Sequence, residues 1–146
     1  MCDIDHFKTI SDAYGHVDGD AVLVKVAELL RENLRRCDEA SRFDGEEFVM
    51  LLSDLHREDA RDLIERLRRS IEQTRFGGES LRGRRITASF GIAEYRVGEE
   101  LEDVIRRADK MLYAAKRNGR NSALVDWLRL EVQVETPAEA VGRKVS

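Results

Sequence analysis

Hydrophobic residues recur at helical spacing in three segments of the chain. Intervals of three and four residues place such side chains on one face of a helix, which then packs on a core. The stripes are Val22, Val26, Leu29, Leu30 and Leu34, then Ala60, Leu63, Ile64, Leu67 and Ile71, then Leu101, Val104, Ile105, Ala108, Met111, Leu112 and Ala115. We predict that Ser53 or Asp54 caps the second helix and that Gly119 follows the third.

Strand-like patterns lie between these helices. Residues 48–52 (FVMLL) are apolar throughout, as in a strand buried on both faces, residues 86–92 (ITASFGI) partly alternate, and residues 1–4 and 123–125 are short candidates. Asp44-Gly45 favours a type I′ turn, which predicts a hairpin between the runs on either side. The order strand, helix, hairpin, helix, strand, helix, strand predicts an α+β fold with helices packed on a mixed central sheet.

Length, charge and cysteine content exclude several classes of protein. The 146 residues suffice for one domain, and 25 basic against 29 acidic residues give a net charge of -4, without the basic field of a nonspecific nucleic-acid binder. No apolar run is long enough to span a bilayer, and Cys2 and Cys37 form neither a disulfide framework nor a metal motif. We expect a cytoplasmic domain over residues 1–126. Residues 127–146, with the only proline, are predicted to form a flexible extension.

Acidic residues gather at the ends of two predicted strands. Asp3 and Asp5 end the first strand, and Glu46 and Glu47 follow the hairpin turn. If these strands are neighbours, the carboxylates converge at one edge of the sheet and offer the hard oxygen ligands that Mg²⁺ takes.

Basic residues offer a counterpart to these carboxylates. Lys8 lies one helical turn after Asp5, and Lys116, Arg117 and Arg120 cluster where the last helix ends. Together these features indicate metal-assisted phosphoryl or nucleotidyl transfer. Spacing alone leaves a structural alternative open, because acidic residues also form solvated strand ends and cations stabilise helix C-termini.

Four sequence blocks resemble the GGDEF domain of diguanylate cyclases. They are CDIDHFK at residues 2–8, YGH with GD at residues 14–20, RFDGEEF at residues 42–48 and YAAKRNGRN at residues 113–121. One block alone would be weak, whereas four in this order are specific. The resemblance implies a palm-like α+β fold with a ferredoxin-like core, spanning residues 1 to about 125.

The resemblance also implies an activity, the condensation of two GTP molecules into cyclic di-GMP with release of two pyrophosphates. Each domain would hold one GTP, so the active site would form in a homodimer of antiparallel domains. Mg²⁺ or Mn²⁺ would bind to Asp3, the Ile4 carbonyl and Glu46. Glu46, Glu47 and Lys8 would be the catalytic residues, with Glu47 supporting the metals or deprotonating the attacking 3′-hydroxyl.

The same resemblance implies the contacts to GTP. Lys8, Lys116 and Arg120 would hold the triphosphate, and Asp20 would read the guanine edge. The expected GTP-binding set is Lys8, Ser11, Asp20, Asp44, Gly45, Lys116 and Arg120. An upstream sensor or receiver domain would control the output.

A second site is implied by the Arg-x-x-Asp pattern of Arg35 and Asp38, which precedes the hairpin and resembles the product-inhibition site of the family. Arg35 would pair bidentately with a phosphate or guanine edge of cyclic di-GMP, with Asp38 as its polar partner. Arg66 would add a second basic contact. The pattern also occurs by chance on many helices, and its position relative to the hairpin favours the site.

Two residues depart from the family pattern. Asp44 replaces the first glycine of the signature, and its extra carboxylate would repel a triphosphate. Ser11 replaces an asparagine that faces guanine, which would weaken base discrimination. The alternative to a cyclase is therefore a weak or inactive receptor that binds cyclic di-GMP or GTP.

A third departure concerns the start of the chain. The family begins upstream with a helix and an Asp-x-Leu-Thr-Gly-Leu segment, whereas this sequence starts within the first strand. We expect either a shortened chain or a longer gene product, and marginal stability for the domain without that helix.

Overall fold

The computed structural model describes residues 1–77 and 81–127. The elements are β1 (Cys2–Ile4), α1 (Phe7–Tyr14), α2 (His16–Asn33), β2 (Glu39–Asp44), β3 (Glu47–Leu51), α3 (Arg57–Gln73), β4 (Ala88–Ala93), α4 (Leu101–Arg117) and β5 (Ala123–Asp126). Apart from Trp127, the predicted extension over residues 127–146 lies outside the described residues. None of the helices in the described ranges has the length and apolar character needed to cross a membrane.

The five strands form one sheet in the order β2-β3-β1-β4-β5. Neighbours are antiparallel except β4 and β5, which are parallel, so the predicted α+β fold with a mixed central sheet is confirmed. β1 therefore lies between β3 and β4, although both follow it in the chain by a long interval. This central position brings the end of β1 next to the start of β3.

Helices cover both faces of the sheet. The larger core lies on the side of α2 and α3 and includes the fully buried Val26, Leu67 and Phe90. On the other face, α4 packs against β4 and β5, and Ala108 and Leu112 contact Met1. Because side chains alternate along a strand, Cys2 and Ile4 enter the larger core while the residue between them faces α4.

α4 approaches β4 very closely at Gly91. A Cβ atom built on Gly91 would lie 2.1 Å from the Ala108 carbonyl oxygen and 2.3 Å from the Leu112 backbone nitrogen. Only a residue without a side chain fits at this position. The contact fixes the height of α4 above the sheet and thereby the position of the helix end that carries Lys116.

The hairpin forms as predicted, but its turn differs from the expected type. Asp44 pairs with Glu47, so the two loop residues are Gly45 and Glu46. Only Gly45 of these two has a positive φ, at 41°, whereas a type I′ turn needs positive φ at both positions. The type I′ prediction is therefore wrong. A register shift between Arg42 and Asp44 moves the turn by one residue.

The predicted starts of α3 and β4 also differ from those in the structure. α3 begins at Arg57 with His56 as the preceding residue, so neither Ser53 nor Asp54 caps it. Ser53 is engaged elsewhere, because its backbone N–H donates to Asp38 Oδ1 at 3.2 Å. β4 begins at Ala88 rather than at residue 86. Gly119 follows the C-cap of α4 with φ 108°, as predicted, and both cysteines are free thiols.

Candidate functional site

Acidic residues converge where β1 ends beside the hairpin. Asp3 on β1 is the cross-strand partner of Glu47 on β3, and the Ile4 backbone N–H donates to the Glu46 carbonyl at 3.4 Å. β1 and β3 are therefore neighbours, as the convergence of the carboxylates requires. Four of the residues assigned to metal binding or catalysis lie within this short stretch of two paired strands: Asp3, Ile4, Glu46 and Glu47.

Burial and mutual repulsion act on these carboxyl groups. Burial raises the pKa of Asp3 above its ordinary value, the hydrogen bond from Lys116 opposes this shift, and the charges of Glu46 and Asp5 add to it. Burial also raises the pKa of Glu47, and the charge of Asp3 adds to that shift. Burial thus disfavours the charged form of both carboxyl groups, and a cation placed beside them would stabilise that form.

Lys116 meets this cluster from α4. Its Nζ lies 2.6 Å from Asp3 Oδ2, and the Asp3 side chain is only 7% exposed. The ammonium therefore partly balances the charge of the Asp3 carboxylate. One predicted phosphate-binding lysine and one predicted metal ligand thus share the same edge of the sheet.

The donor atoms fit a hard divalent cation. Asp3 and Glu46 offer carboxylate oxygens and Ile4 a backbone carbonyl, which are the ligand types that Mg²⁺ and Mn²⁺ take. Within the described residues, no group of three or more histidine, cysteine, aspartate or glutamate side chains is arranged to hold a metal. Mg²⁺ needs only one or two protein carboxylates and completes its shell with water and substrate phosphates.

The other predicted nucleotide contacts lie on α1, on α2, at the hairpin tip and, for Arg120, in the loop after α4. Lys8 is 87% exposed at its side chain and pairs with Asp12 at 3.3 Å, so it makes no contact with the carboxylate cluster. Ser11 Oγ lies 3.3 Å from His16 Nδ1, and Asp20 is exposed. Gly45 is exposed at the hairpin tip, where its carbonyl accepts from Arg42 Nε at 2.7 Å.

Asp5 differs from its neighbours because its carboxylate already accepts three hydrogen bonds. Its oxygens accept hydrogen bonds from Thr87 Oγ1 and Ser89 Oγ, both at 2.7 Å, and from the Asn121 backbone N–H at 3.0 Å. The residue is 4% exposed. Asp5 therefore stabilises the chain around the site. Sequence reasoning placed Asp5 in the acidic group and gave no role to Thr87 or Asn121.

Arg35 and Asp38 form an ion pair just before β2, at the end of that strand away from the hairpin turn. Arg35 donates from Nε to Asp38 Oδ2 at 3.0 Å and from Nη2 to Oδ1 at 2.8 Å. The Asp38 side chain is fully buried, while that of Arg35 is 41% exposed. These bonds, together with those from the Arg35 and Ser53 backbone N–H groups, lower the pKa of Asp38 to about 2.

Arg66 lies on α3 and is turned towards the end of α2. It donates to the Asn33 carbonyl at 3.0 Å from Nη2 and to Asn33 Oδ1 at 3.3 Å from Nε. The arginine is exposed. The structure records no direct bond between Arg66 and the Arg35–Asp38 pair, and α2 and α3 hold both on the same side of the sheet.

Comparison with known proteins identifies the family. The sequence model for "Diguanylate cyclase, GGDEF domain" matches residues 1–122. The diguanylate cyclase DgcP of Pseudomonas aeruginosa is 49% identical over 123 residues, which is 83% of this chain and 18% of DgcP. The chain spans only 33% and 18% of the first two curated relatives, both diguanylate cyclases.

Solved structures give the same result. The active GGEEF domain of a diguanylate cyclase from Vibrio cholerae matches with a TM-score of 0.77 and 34% identity, over 85% of this chain and 78% of that one. The GGDEF domain of DgcB from Caulobacter crescentus, solved in complex with c-di-GMP, matches with a TM-score of 0.80 and 35% identity, over 85% and 74%. This chain belongs to the GGDEF domain family of diguanylate cyclases.

Proposed function

We propose that the chain is a catalytic domain that condenses two GTP molecules into cyclic di-GMP and two pyrophosphates. The observation that carries the proposal is the cluster of Asp3 and Glu47 on paired strands with Lys116 at 2.6 Å from Asp3. A carboxylate pair beside a cation suits a reaction in which positioning and charge stabilisation do most of the catalysis. The related GGEEF domain from Vibrio cholerae is described as active, which supports turnover with two glutamates in the signature.

Each candidate site residue has its own role in the proposed reaction. Asp3, Glu46 and the Ile4 carbonyl would hold Mg²⁺ or Mn²⁺, and this cation supplies charge neutralisation at the phosphates when it is bound. Glu47 is the group that accepts the proton of the 3′-hydroxyl or supports the metal ligands, and its raised pKa suits a proton acceptor. Lys8 is solvent-exposed and would reach the triphosphate from α1.

The substrate contacts follow the same assignment. Lys116 and Arg120 would bind the triphosphate, Asp20 and Ser11 the guanine, and Asp44 and Gly45 would lie along the bound nucleotide. Because one domain holds one GTP, two copies must meet in antiparallel orientation for the bond to form. We place this reaction in the cytoplasm, under an upstream sensor or receiver domain.

Product inhibition is proposed for Arg35, Asp38 and Arg66. The guanidinium of Arg35 is partly exposed and rigidly held by Asp38, so its remaining donors would meet a phosphate or guanine edge without losing much freedom. The DgcB domain was solved in complex with c-di-GMP, which supports a binding role for the family.

The test is product analysis after incubation of the purified chain with GTP and Mg²⁺. Cyclic di-GMP should form, and its rate per protein should rise with protein concentration because two copies are needed. Glu47→Gln should abolish the product, whereas Glu28→Gln on the exposed face of α2 should leave it. Absence of product from folded wild-type protein would contradict the cyclase proposal.

A second candidate function is a receptor that binds cyclic di-GMP or GTP without turnover. Asp44 at the hairpin tip favours a cyclic di-GMP receptor over a cyclase, since a carboxylate there opposes triphosphate binding. Titration of the protein with cyclic di-GMP separates the two candidates when combined with product analysis. A receptor would bind cyclic di-GMP, lose this binding in Arg35→Met and form no product from GTP.

A further inference from the structure

The loop after α4 has an unusual backbone. Gly119, Arg120 and Asn121 have positive φ values of 108°, 65° and 45° in succession. Residues with a side chain avoid this left-handed region, and two of them in sequence persist only where surrounding contacts hold them. One such contact is the bond from the Arg120 backbone N–H to the Ala115 carbonyl at 3.1 Å, which closes the end of the helix.

The Asn121 side chain is held by two residues of α3. Its Oδ1 accepts a hydrogen bond from Arg68 Nη1 at 2.7 Å, and its Nδ2 donates to Glu72 Oε1 at 2.9 Å. Arg68 in turn donates to Glu72 Oε2 at 3.0 Å. The three side chains form a closed ring of hydrogen bonds that joins the loop to a helix on the opposite face of the sheet.

Arg68 is itself rigid. Its Nε and Nη2 donate to the two carboxylate oxygens of Glu65, both at 2.8 Å, and its side chain is only 13% exposed. A guanidinium with three carboxylate bonds loses little further freedom when it binds Asn121. Contacts within α3 therefore set the geometry of Arg68 independently of the loop.

The backbone of the same residue is tied to β1. The Asn121 N–H donates to Asp5 Oδ2 at 3.0 Å, and Thr87 and Ser89 fix the Asp5 carboxylate. Asp5 lies two residues after Asp3, and Asn121 directly follows Arg120. One residue thus joins the strand that carries a candidate metal ligand to the loop that carries a candidate phosphate ligand.

We propose that Asn121 and Arg68 are positioning residues that set Arg120 and Lys116 at the correct distance from Asp3 for a bound triphosphate. The inference rests on the proposed function of these two cations. Within the described residues the Arg120 side chain has no hydrogen-bond or ion-pair partner, so its direction depends on the backbone that Asn121 holds. Without the ring of bonds the loop relaxes towards right-handed conformations, and Arg120 turns away from the phosphates.

The test uses Arg68→Met and Asn121→Gly in the whole chain. Arg68→Met removes the donor and keeps the length of the side chain. Asn121→Gly removes the side-chain bonds, retains the N–H to Asp5 and tolerates the positive φ. The matched control is Arg69→Met, because Arg69 lies next on the same helix, bonds only to Glu65 and is 63% exposed.

Two measurements are made on each protein. Calorimetry with tripolyphosphate and Mg²⁺ should give about tenfold weaker binding for both test variants and wild-type binding for Arg69→Met. Initial rates with GTP should show a raised KM at nearly unchanged kcat, because the catalytic carboxylates stay in place. Thermal melting identifies a variant that fails to fold. If Arg68→Met does not fold, the test is made with Asn121→Gly.

Wild-type affinity for tripolyphosphate in both folded test variants would overturn the proposal. An equal loss in Arg69→Met would also overturn it, since the effect would then follow from charge alone. Wild-type protein that fails to bind tripolyphosphate would overturn the inference together with the assignment of Lys116 and Arg120. Selective loss of binding in a protein that forms no cyclic di-GMP would support the inference and contradict the cyclase proposal.

Discussion

Asp44 places a carboxylate at the hairpin tip, within electrostatic reach of the candidate carboxylate cluster. Its charge is one of the contributions that raise the pKa of Glu47. Glycine is not required at this position, because Asp44 pairs with Glu47 as part of the strand and the positive φ falls on Gly45. The effect of Asp44 on function is therefore a matter of charge.

Asp44→Gly should raise kcat/KM for GTP. At about 6 Å and an effective dielectric near 20, one unit-charge repulsion is on the order of 2 to 3 kcal/mol before screening, so a gain of about tenfold is expected. Asp44→Asn should give most of the same gain, since it removes the charge and keeps the size. Steady-state kinetics at two salt concentrations measures both, and unchanged rates would rule out the repulsion.

Asp38 should make the fold sensitive to acid in a defined window. Its pKa is about 2 in the folded protein, against an ordinary 3.8, because Arg35 and backbone N–H groups stabilise the carboxylate. A lowered pKa means that the unfolded chain takes up the proton first. The contribution is therefore complete above about pH 4 and is lost as the pH falls towards 2.

Urea unfolding of wild type and Asp38→Asn across this range checks the effect. The difference in unfolding free energy should be about 2 kcal/mol near pH 6 and should shrink between pH 4 and pH 2. Other acidic residues titrate in both proteins and cancel in the difference. A gap that stays constant down to pH 2 would contradict the assignment.

At the scale of the elements, the close approach of β4 and α4 limits substitution. Gly91→Ala would place a methyl group 2.1 Å from the Ala108 carbonyl oxygen, so the helix must shift. We expect a loss of about 3 kcal/mol or more in unfolding free energy. Gly77→Ala is the control, because no atom lies within 4 Å of its added Cβ. Equal melting temperatures for the two variants would show that α4 adapts freely.

The boundaries of elements were harder to predict from sequence than their existence. All three hydrophobic stripes form helices, because a helix places apolar residues at intervals of three and four on one face, which can then be buried. The predicted start of α3 was wrong, since the Ser53 backbone N–H donates a hydrogen bond to Asp38, fifteen residues earlier. The turn type was wrong because a register shift in β2 displaces the loop by one residue. Both errors come from pairings that no local pattern contains.

At the scale of the whole molecule, the strand order creates the candidate site. The sequence predicted which carboxylates would meet only on the condition that β1 and β3 are neighbours, and the sheet meets that condition. The ion pair of Lys116 with Asp3 spans 113 residues and depends on how α4 lies across the sheet. The role of Asp5 was not predictable, because its partners Thr87 and Asn121 come from two distant segments.

The edge position of β2 has a consequence for the order in which the protein loses its structure. All six residues of β2 are exposed, and in the part of the chain that the structure describes β3 is its only neighbour in the sheet. Segments with little burial open locally at a lower free energy than the core. Amide hydrogens of β2 should therefore exchange with deuterium well before those of β4, and detachment of β2 removes the strand that holds the Gly45–Glu46 turn beside β1. Catalytic activity should accordingly disappear at urea concentrations that leave the helical circular dichroism intact. Coincident midpoints would mean that the hairpin and the core unfold as one unit.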